Sequence, residues 1–325
     1  MFLGNEMSLR IINLDLAPIF LVGCPRSGTT LLQRMLDAHS RICIAPETHF
    51  IRRFWNKRYE YGDLSIDANH AKLLKDIGSM PEFSEMGLDF KTFSTDALEI
   101  NRTYPNIFAL ILTQFLSRCD AELVGEKTPN HLLYMPILSD FFPSARFIHI
   151  IRDPRSVVNS WRTVPWSTGS IIEDARVWHR YLVAARNNKQ SDKVLTLFYE
   201  DLVLDSQKSL QTICNFIGIN FESEILDFYH QPSSQINVKR EPWKQNVNKP
   251  VTTDFTSRWQ RELSKDMIVE IEAVTASEMK KLGYKFHSNF WDRMSKTLHL
   301  KVDYVLENSA SIAKKGRRKI QRTRV

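Results

Sequence analysis

The stretch GCPRSGTT, Gly23 to Thr30, has the spacing of a phosphate-binding loop: one glycine, four residues, a second glycine, then two threonines. In a nucleoside-triphosphate loop the residue after the second glycine is a lysine that reaches the β- and γ-phosphates. Here that residue is Thr29. The backbone N–H groups of such a loop bind an anion whatever the side chains are, because they converge at a helix N-terminus. Without the lysine, the loop suits a shorter anion that needs no metal ion. Arg26 stands three positions before Thr29 and brings a permanent charge toward the reacting group. Ser27, Gly28, Thr29 and Thr30 complete the cradle.

A second anion-binding pattern lies in IIRDPRSVVNSW, Ile150 to Trp161. Arg152 offers a bidentate, permanently charged partner to phosphate oxygens, and Ser160 follows eight residues later. Pro154 suits the first turn of a helix. Asp153 admits two roles, a Mg²⁺-holding acid of a triphosphate site or a helix cap. The missing loop lysine favours the cap.

The elements that must position these groups are legible. PIFLVG (Pro18 to Gly23) is a short apolar run suited to a strand buried on both faces. Leu31, Leu32, Met35 and Leu36 then recur at helical spacing, so the loop joins a strand to a helix. AELVGEK ends at Lys127, ARFIHIIRD contains Arg152 at its end, and KVLTLFYED reaches Tyr199. Helical patterns follow, one of them closed by Gly218. Strands alternating with helices predict an α/β fold of P-loop type, a mostly parallel sheet covered by helices. Ligands in such sheets bind beyond the carboxyl ends of strands, where Arg26, Lys127, Arg152 and Tyr199 stand. The zone from about residue 51 to 118 reads as a helical insertion that shapes a substrate cleft. Residues 1–285 form the domain with that insertion, and residues 286–325 form an amphipathic and then basic tail.

PRSGTTLL resembles the 5′-phosphosulfate-binding loop of sulfotransferases that use 3′-phosphoadenosine 5′-phosphosulfate (PAPS), in particular the branch of tyrosylprotein sulfotransferases and many bacterial enzymes. Matching segments are scattered from about Pro18 to Tyr284. The resemblance implies PAPS as sulfuryl donor, no metal, and an acceptor bearing a hydroxyl. It places Arg152 and Ser160 on the 3′-phosphate. A further arginine of the tyrosylprotein branch, twelve residues beyond the first, is Val164 here, with Arg162 as its substitute. Tyr199 matches a tyrosine near the nucleotide, and Lys249, in NKPV, a lysine of the loop that closes over it. In APETHF, Glu47 matches the catalytic base of the branch, while His49 is its rival because other sulfotransferases use histidine. An efficient carboxylate base would need a pKa raised by burial. Lys127, in GEKTPNHL, matches the lysine near the bridging oxygen, with Arg26 assisting. A serine contacting the leaving oxygen is expected in QPSSQ, at Ser234 rather than Ser233. Trp259, in SRWQREL, is expected in the core.

Composition narrows the alternatives. With 43% hydrophobic and 25% charged residues, the chain is expected to fold. It has no apolar run of about 18 residues and no secretion signal pattern, which points to a cytoplasmic location, peripheral at a membrane if the tail binds lipid. Four cysteines without paired spacing argue against a disulfide framework or a zinc site and suit a reducing compartment. Seven cations and no acid lie between Lys314 and Arg324, so the net charge of +7 leaves a neutral body and no case for specific nucleic-acid binding. That tail is either a solvated end or a contact for an acidic membrane surface. A small-molecule kinase would require ATP and Mg²⁺, against which Thr29 speaks. An inactive relative would lack Glu47 or Lys127, and both are present.

Overall fold

A computed structural model describes residues 16–187, 191–230 and 241–300. Ser233, Ser234 and the basic run from Lys314 lie outside the described residues. α-Helices of eight residues or more are labelled.

The apolar runs fold as their patterns predict. β1 (Ile19–Gly23) is buried along its whole length and passes through the glycine loop into α1 (Thr29–Asp37). β2 (Ile42–Ala45) follows. Helices then occupy the insertion, chief among them α2 (Asp67–Gly78) and α3 (Tyr104–Leu116). β3 (Leu123–Lys127) and β4 (Arg146–Ile151) come next. After them run α4 (Pro154–Trp161), α5 (Ile171–Arg186), β5 (Val194–Phe198) and α6 (Ser206–Ile217). α7 (Lys265–Lys281) and α8 (residues 290–300) close the described chain. Among the described residues no helix is long and apolar enough to cross a membrane.

The described chain packs as two units, residues 16–152 with 184–253 and residues 153–183 with 254–300. The first holds a five-stranded sheet in the order β2-β3-β1-β4-β5. Every strand pair in it is parallel. Parallel strands require crossovers, and these place helices on the sheet faces, so each strand reads as a continuous apolar run. Phe20 of β1 stacks on Phe147 of β4 at 5.5 Å between ring centroids. Phe50 stacks on Phe108 of α3 at 4.4 Å, fixing the insertion in the core. Such aromatic pairs add about 0.5–1.5 kcal/mol to area burial.

The expectation that the cysteines form no disulfide framework needs correction. Cys43 of β2 and Cys119, just past α3, form a disulfide with Cα atoms 6.4 Å apart, while Cys24 and Cys214 are buried and outside that bond. The pair spans 76 residues of sequence and leaves no spacing signature; only the packing of α3 beside β2 brings them together. A cross-link of this span restricts the unfolded chain, typically by about 2–4 kcal/mol. Cys43→Ser is expected to lower the melting temperature under oxidising conditions, and reductant should lower that of the parent chain similarly. Equal melting temperatures for both proteins with and without reductant would show that the bond contributes nothing.

In the second unit, Val158 of α4, Ala175 of α5, Trp259, Leu263, and Ile268 and Ile271 of α7 make one apolar core, so Trp259 is buried as expected. Asp153 is the cap of α4, its Oδ1 accepting from the Arg155 N–H at 2.8 Å. Arg155 lies 4.0 Å from the Trp259 ring centroid and donates to Glu272 Oε1 at 2.6 Å.

Candidate active site

The sheet register assembles the sequence-predicted groups of the first unit. Leu21 pairs with Lys127, Gly23 with Ile150, and Ile151 with Phe198. The glycine loop, Lys127, Arg152 and Tyr199 therefore leave the sheet at one edge, the carboxyl ends of its strands. Gly28 sits at φ 100°, and a Cβ there would lie 2.4 Å from the Tyr199 ring, so a side chain fits neither the backbone nor the space. Arg26 also takes a left-handed conformation, at φ 72°. Its Nη2 donates to the Trp243 carbonyl at 3.1 Å. Arg152 Nη1 donates to the Arg26 carbonyl at 3.0 Å, and its guanidinium lies 4.2 Å from the Tyr199 ring centroid. Burial, then the charge of Arg152, lowers Arg26 to about 10. Tyr199 is buried, which raises its phenol. Two arginines thus crowd a turn of backbone donors, an arrangement that an anion relieves. The Ser27 hydroxyl, fully buried in that turn with no hydrogen-bond partner among the described residues, fits the same ligand class.

Beside the loop stands a carboxylate held by two ammonium groups. Ala45 of β2 pairs with Glu126 of β3, which brings the loop after β2 to the end of β3. There Lys127 Nζ hydrogen-bonds Glu47 Oε1. Lys244 Nζ reaches the same oxygen at 3.1 Å and Glu241 at 2.8 Å. His49 Nε2 lies 3.5 Å from the other Glu47 oxygen. Burial pushes the Glu47 carboxyl up, but Lys127, Lys244 and His49 outweigh it and hold the group well below the usual carboxylate range. The burial-raised pKa that an efficient carboxylate base would need is therefore not what the structure gives. Lys127 is taken down to about 8, by burial first, with Glu47 opposing and Lys244 adding to the fall. Burial lowers His49 to about 4 despite Glu47, which leaves the imidazole neutral at physiological pH.

A buried latch fixes this geometry. Glu126, fully buried, accepts from the Thr48 N–H at 3.0 Å and the Thr48 hydroxyl at 2.9 Å. It also accepts from the Thr128 hydroxyl and lies 3.0 Å from His131 Nδ1. The His49 N–H donates to Thr128 Oγ1 at 3.2 Å. Residues on either side of Thr48 are the two candidate bases, so the carboxylate before Lys127 holds the loop that carries them. Burial pushes Glu126 up, yet His131 and the hydrogen bonds from Thr128 and Thr48 hold it below its ordinary value.

A sequence model described as the sulfotransferase family matches residues 18–223. The chain belongs to that family. It is 28% identical over 298 residues to protein-tyrosine sulfotransferase 1 of Danio rerio, covering 88% of this chain and 78% of that protein. Protein-tyrosine sulfotransferase A of Caenorhabditis elegans is 26% identical, with 92% and 76% covered. Among solved structures, the sulfotransferase domain from the curacin biosynthetic pathway superposes with a TM-score of 0.60 at 19% identity, covering 83% of this chain and 99% of that one. That from the Synechococcus PCC 7002 olefin synthase gives 0.57 at 21%, with 81% and 95% covered. These likenesses confirm the fold as a sulfotransferase α/β fold.

The remaining predicted residues of this sulfotransferase are carried by other segments. Ser160 is half-buried on α4, in the second unit. Arg162 Nη1 donates to Asn159 Oδ1 and to the Glu262 carbonyl, both at 3.1 Å, and Val164 is buried. Lys249 is exposed, its N–H donating to the Asn246 carbonyl at 3.3 Å. The lysine of this segment that reaches Glu47 is Lys244. Sequence reasoning missed it, and missed Glu126. The signal available for Lys244 was Glu241 one helical turn earlier, a spacing that pairs opposite charges; for Glu126 it was a charged residue inside an apolar strand.

Proposed function

We propose that this chain is a PAPS-dependent sulfotransferase acting on an acceptor hydroxyl, with Glu47 as base and Lys127 as the charge that stabilises the leaving oxygen. The observation that carries it is the Lys127–Glu47–Lys244 cluster beside a lysine-free glycine loop. PAPS, when bound, supplies a sulfuryl group on a phosphate leaving group. The loop from Ser27 to Thr30 binds the 5′ anionic end through backbone N–H groups and hydroxyls. Arg152 binds the 3′-phosphate, Tyr199 holds Arg152 in place, and Arg26 supplements the charge at the reacting end. Glu47 Oε1 and Oε2 stand ready to take the acceptor proton. Two ammonium groups make Glu47 a weak base at rest; each shift of Lys127 toward another anion strengthens it.

The relatives named above are protein-tyrosine sulfotransferases, so a tyrosine hydroxyl is the first acceptor class to test. The insertion, from about residue 51 to 118, is the element we assign to the acceptor. Transfer of label from ³⁵S-PAPS to a panel of tyrosine peptides, glycans and phenols, in the presence of EDTA, tests the reading. Labelled product is the expected result; label transfer that requires added Mg²⁺ would count against the metal-free mechanism. Arg152→Ala is expected to weaken binding of adenosine 3′,5′-bisphosphate by about 10- to 100-fold, the loss of a hydrogen bond to a charged group. Calorimetry measures this, and unchanged affinity removes Arg152 from the nucleotide site.

A further inference from the structure

The last described helix is oriented opposite to the usual amphipathic rule. At 3.6 residues per turn, Phe290, Trp291, Met294 and Leu298 of α8 fall within about 100° of arc. All four are exposed, at 59%, 71%, 47% and 64%. Arg293, Lys296, Thr297 and Leu300 occupy another arc and are half-buried. That arc is tied to the second unit by polar contacts. Arg293 Nη1 donates to the Ser288 carbonyl at 2.8 Å, and its guanidinium lies 3.9 Å from the Phe286 ring centroid. Lys296 Nζ donates to Glu270 at 2.6 Å, and Thr297 Oγ1 to the Ala273 carbonyl at 3.4 Å. A surface helix normally buries its apolar stripe. Here polar contacts hold the helix, and the aromatic and aliphatic stripe is turned outward as a contiguous patch, the mark of an interaction surface.

The sequence beyond α8 indicates the partner. Thirteen residues separate Leu300 from Lys314, where a run of seven cations without an acid begins. We propose that the outward face of α8 docks on an anionic lipid surface, with the basic run as the second attachment. An apolar helix face with Trp, Phe and Leu inserts at the headgroup boundary, and stable attachment takes two signals. The basic run supplies the second, since each cation near an anionic surface strengthens binding by about fivefold. A second copy of the chain is a poorer occupant, because pairing across α8 would bring two sets of cations together. The inference is independent of the acceptor and of the transfer chemistry.

The test is co-sedimentation of the full chain with vesicles of phosphatidylcholine alone and of phosphatidylcholine mixed with phosphatidylserine. The chain should sediment with the mixed vesicles and not with phosphatidylcholine alone. Trp291→Ser combined with Leu298→Ser should weaken that binding by about tenfold or more, the loss of two inserted apolar side chains, with the melting temperature unchanged because both side chains are exposed. Absence of binding to the mixed vesicles would overturn the proposal. So would undiminished binding of the double variant, or a lipid-free dimer that the double variant dissociates.

Discussion

Glu47→Gln is expected to bind adenosine 3′,5′-bisphosphate as the parent chain does and to lose turnover by about 10²- to 10⁴-fold, the range of a positioned general base. The amide keeps the shape of the carboxyl and can still accept from Lys127 or Lys244, so the nucleotide side of the site should survive. It cannot take a proton. His49→Gln should cost far less, because His49 lies 3.5 Å from Glu47 and stands beside it rather than replacing it. The ammonium groups hold Glu47 ionised throughout the physiological range. An acid limb near neutral pH, the sign of a burial-raised carboxylate, is therefore not expected in kcat/KM. Turnover retained in Glu47→Gln and lost in His49→Gln would move the base to the histidine.

Lys127→Met should lower turnover by about 10²- to 10³-fold, the cost of removing one preorganised donor to developing charge. Methionine fills the buried channel of the lysine stem and leaves Lys244 to hold Glu47, which limits the structural damage. The pH dependence gives a sharper test. With its pKa taken down to about 8, Lys127 is an ammonium below that pH and is neutral above it. The parent activity should fall as pH rises through that value. Lys127→Arg keeps its charge at every accessible pH, so whatever activity it retains should lack the alkaline limb. If Lys127→Arg keeps the limb, the titrating group is another residue.

The groups that sequence made legible are those whose place follows from strand ends. Lys127, Arg152 and Tyr199 each close an apolar run, and parallel register alone brings them to one edge with the glycine loop. Gly218, predicted to stop its helix, does so at φ 80°. β2 was not legible: ICIA is four residues between Arg41 and Pro46, too short for a pattern, and it is the strand that delivers Glu47. Lys244 escaped notice because its partner lies 197 residues away. The charge state of Glu47 was illegible for the same reason, since its two ammonium neighbours lie on distant segments. The Cys43–Cys119 bond, likewise, is a consequence of how α3 lies beside β2. Local pattern thus reports the scaffold and its ends, whereas charge balance inside the site depends on contacts made only after folding.

The central claim is that the glycine loop and Arg152 form a site for a nucleotide with a 3′-phosphate rather than for a triphosphate with its metal. Melting temperature with adenosine 3′,5′-bisphosphate, set against ATP plus Mg²⁺, tests it most directly, because a ligand bound only by the native state raises that temperature by mass action. The account predicts a rise with the bisphosphate and none with ATP plus Mg²⁺. A rise with ATP plus Mg²⁺ alone would contradict it.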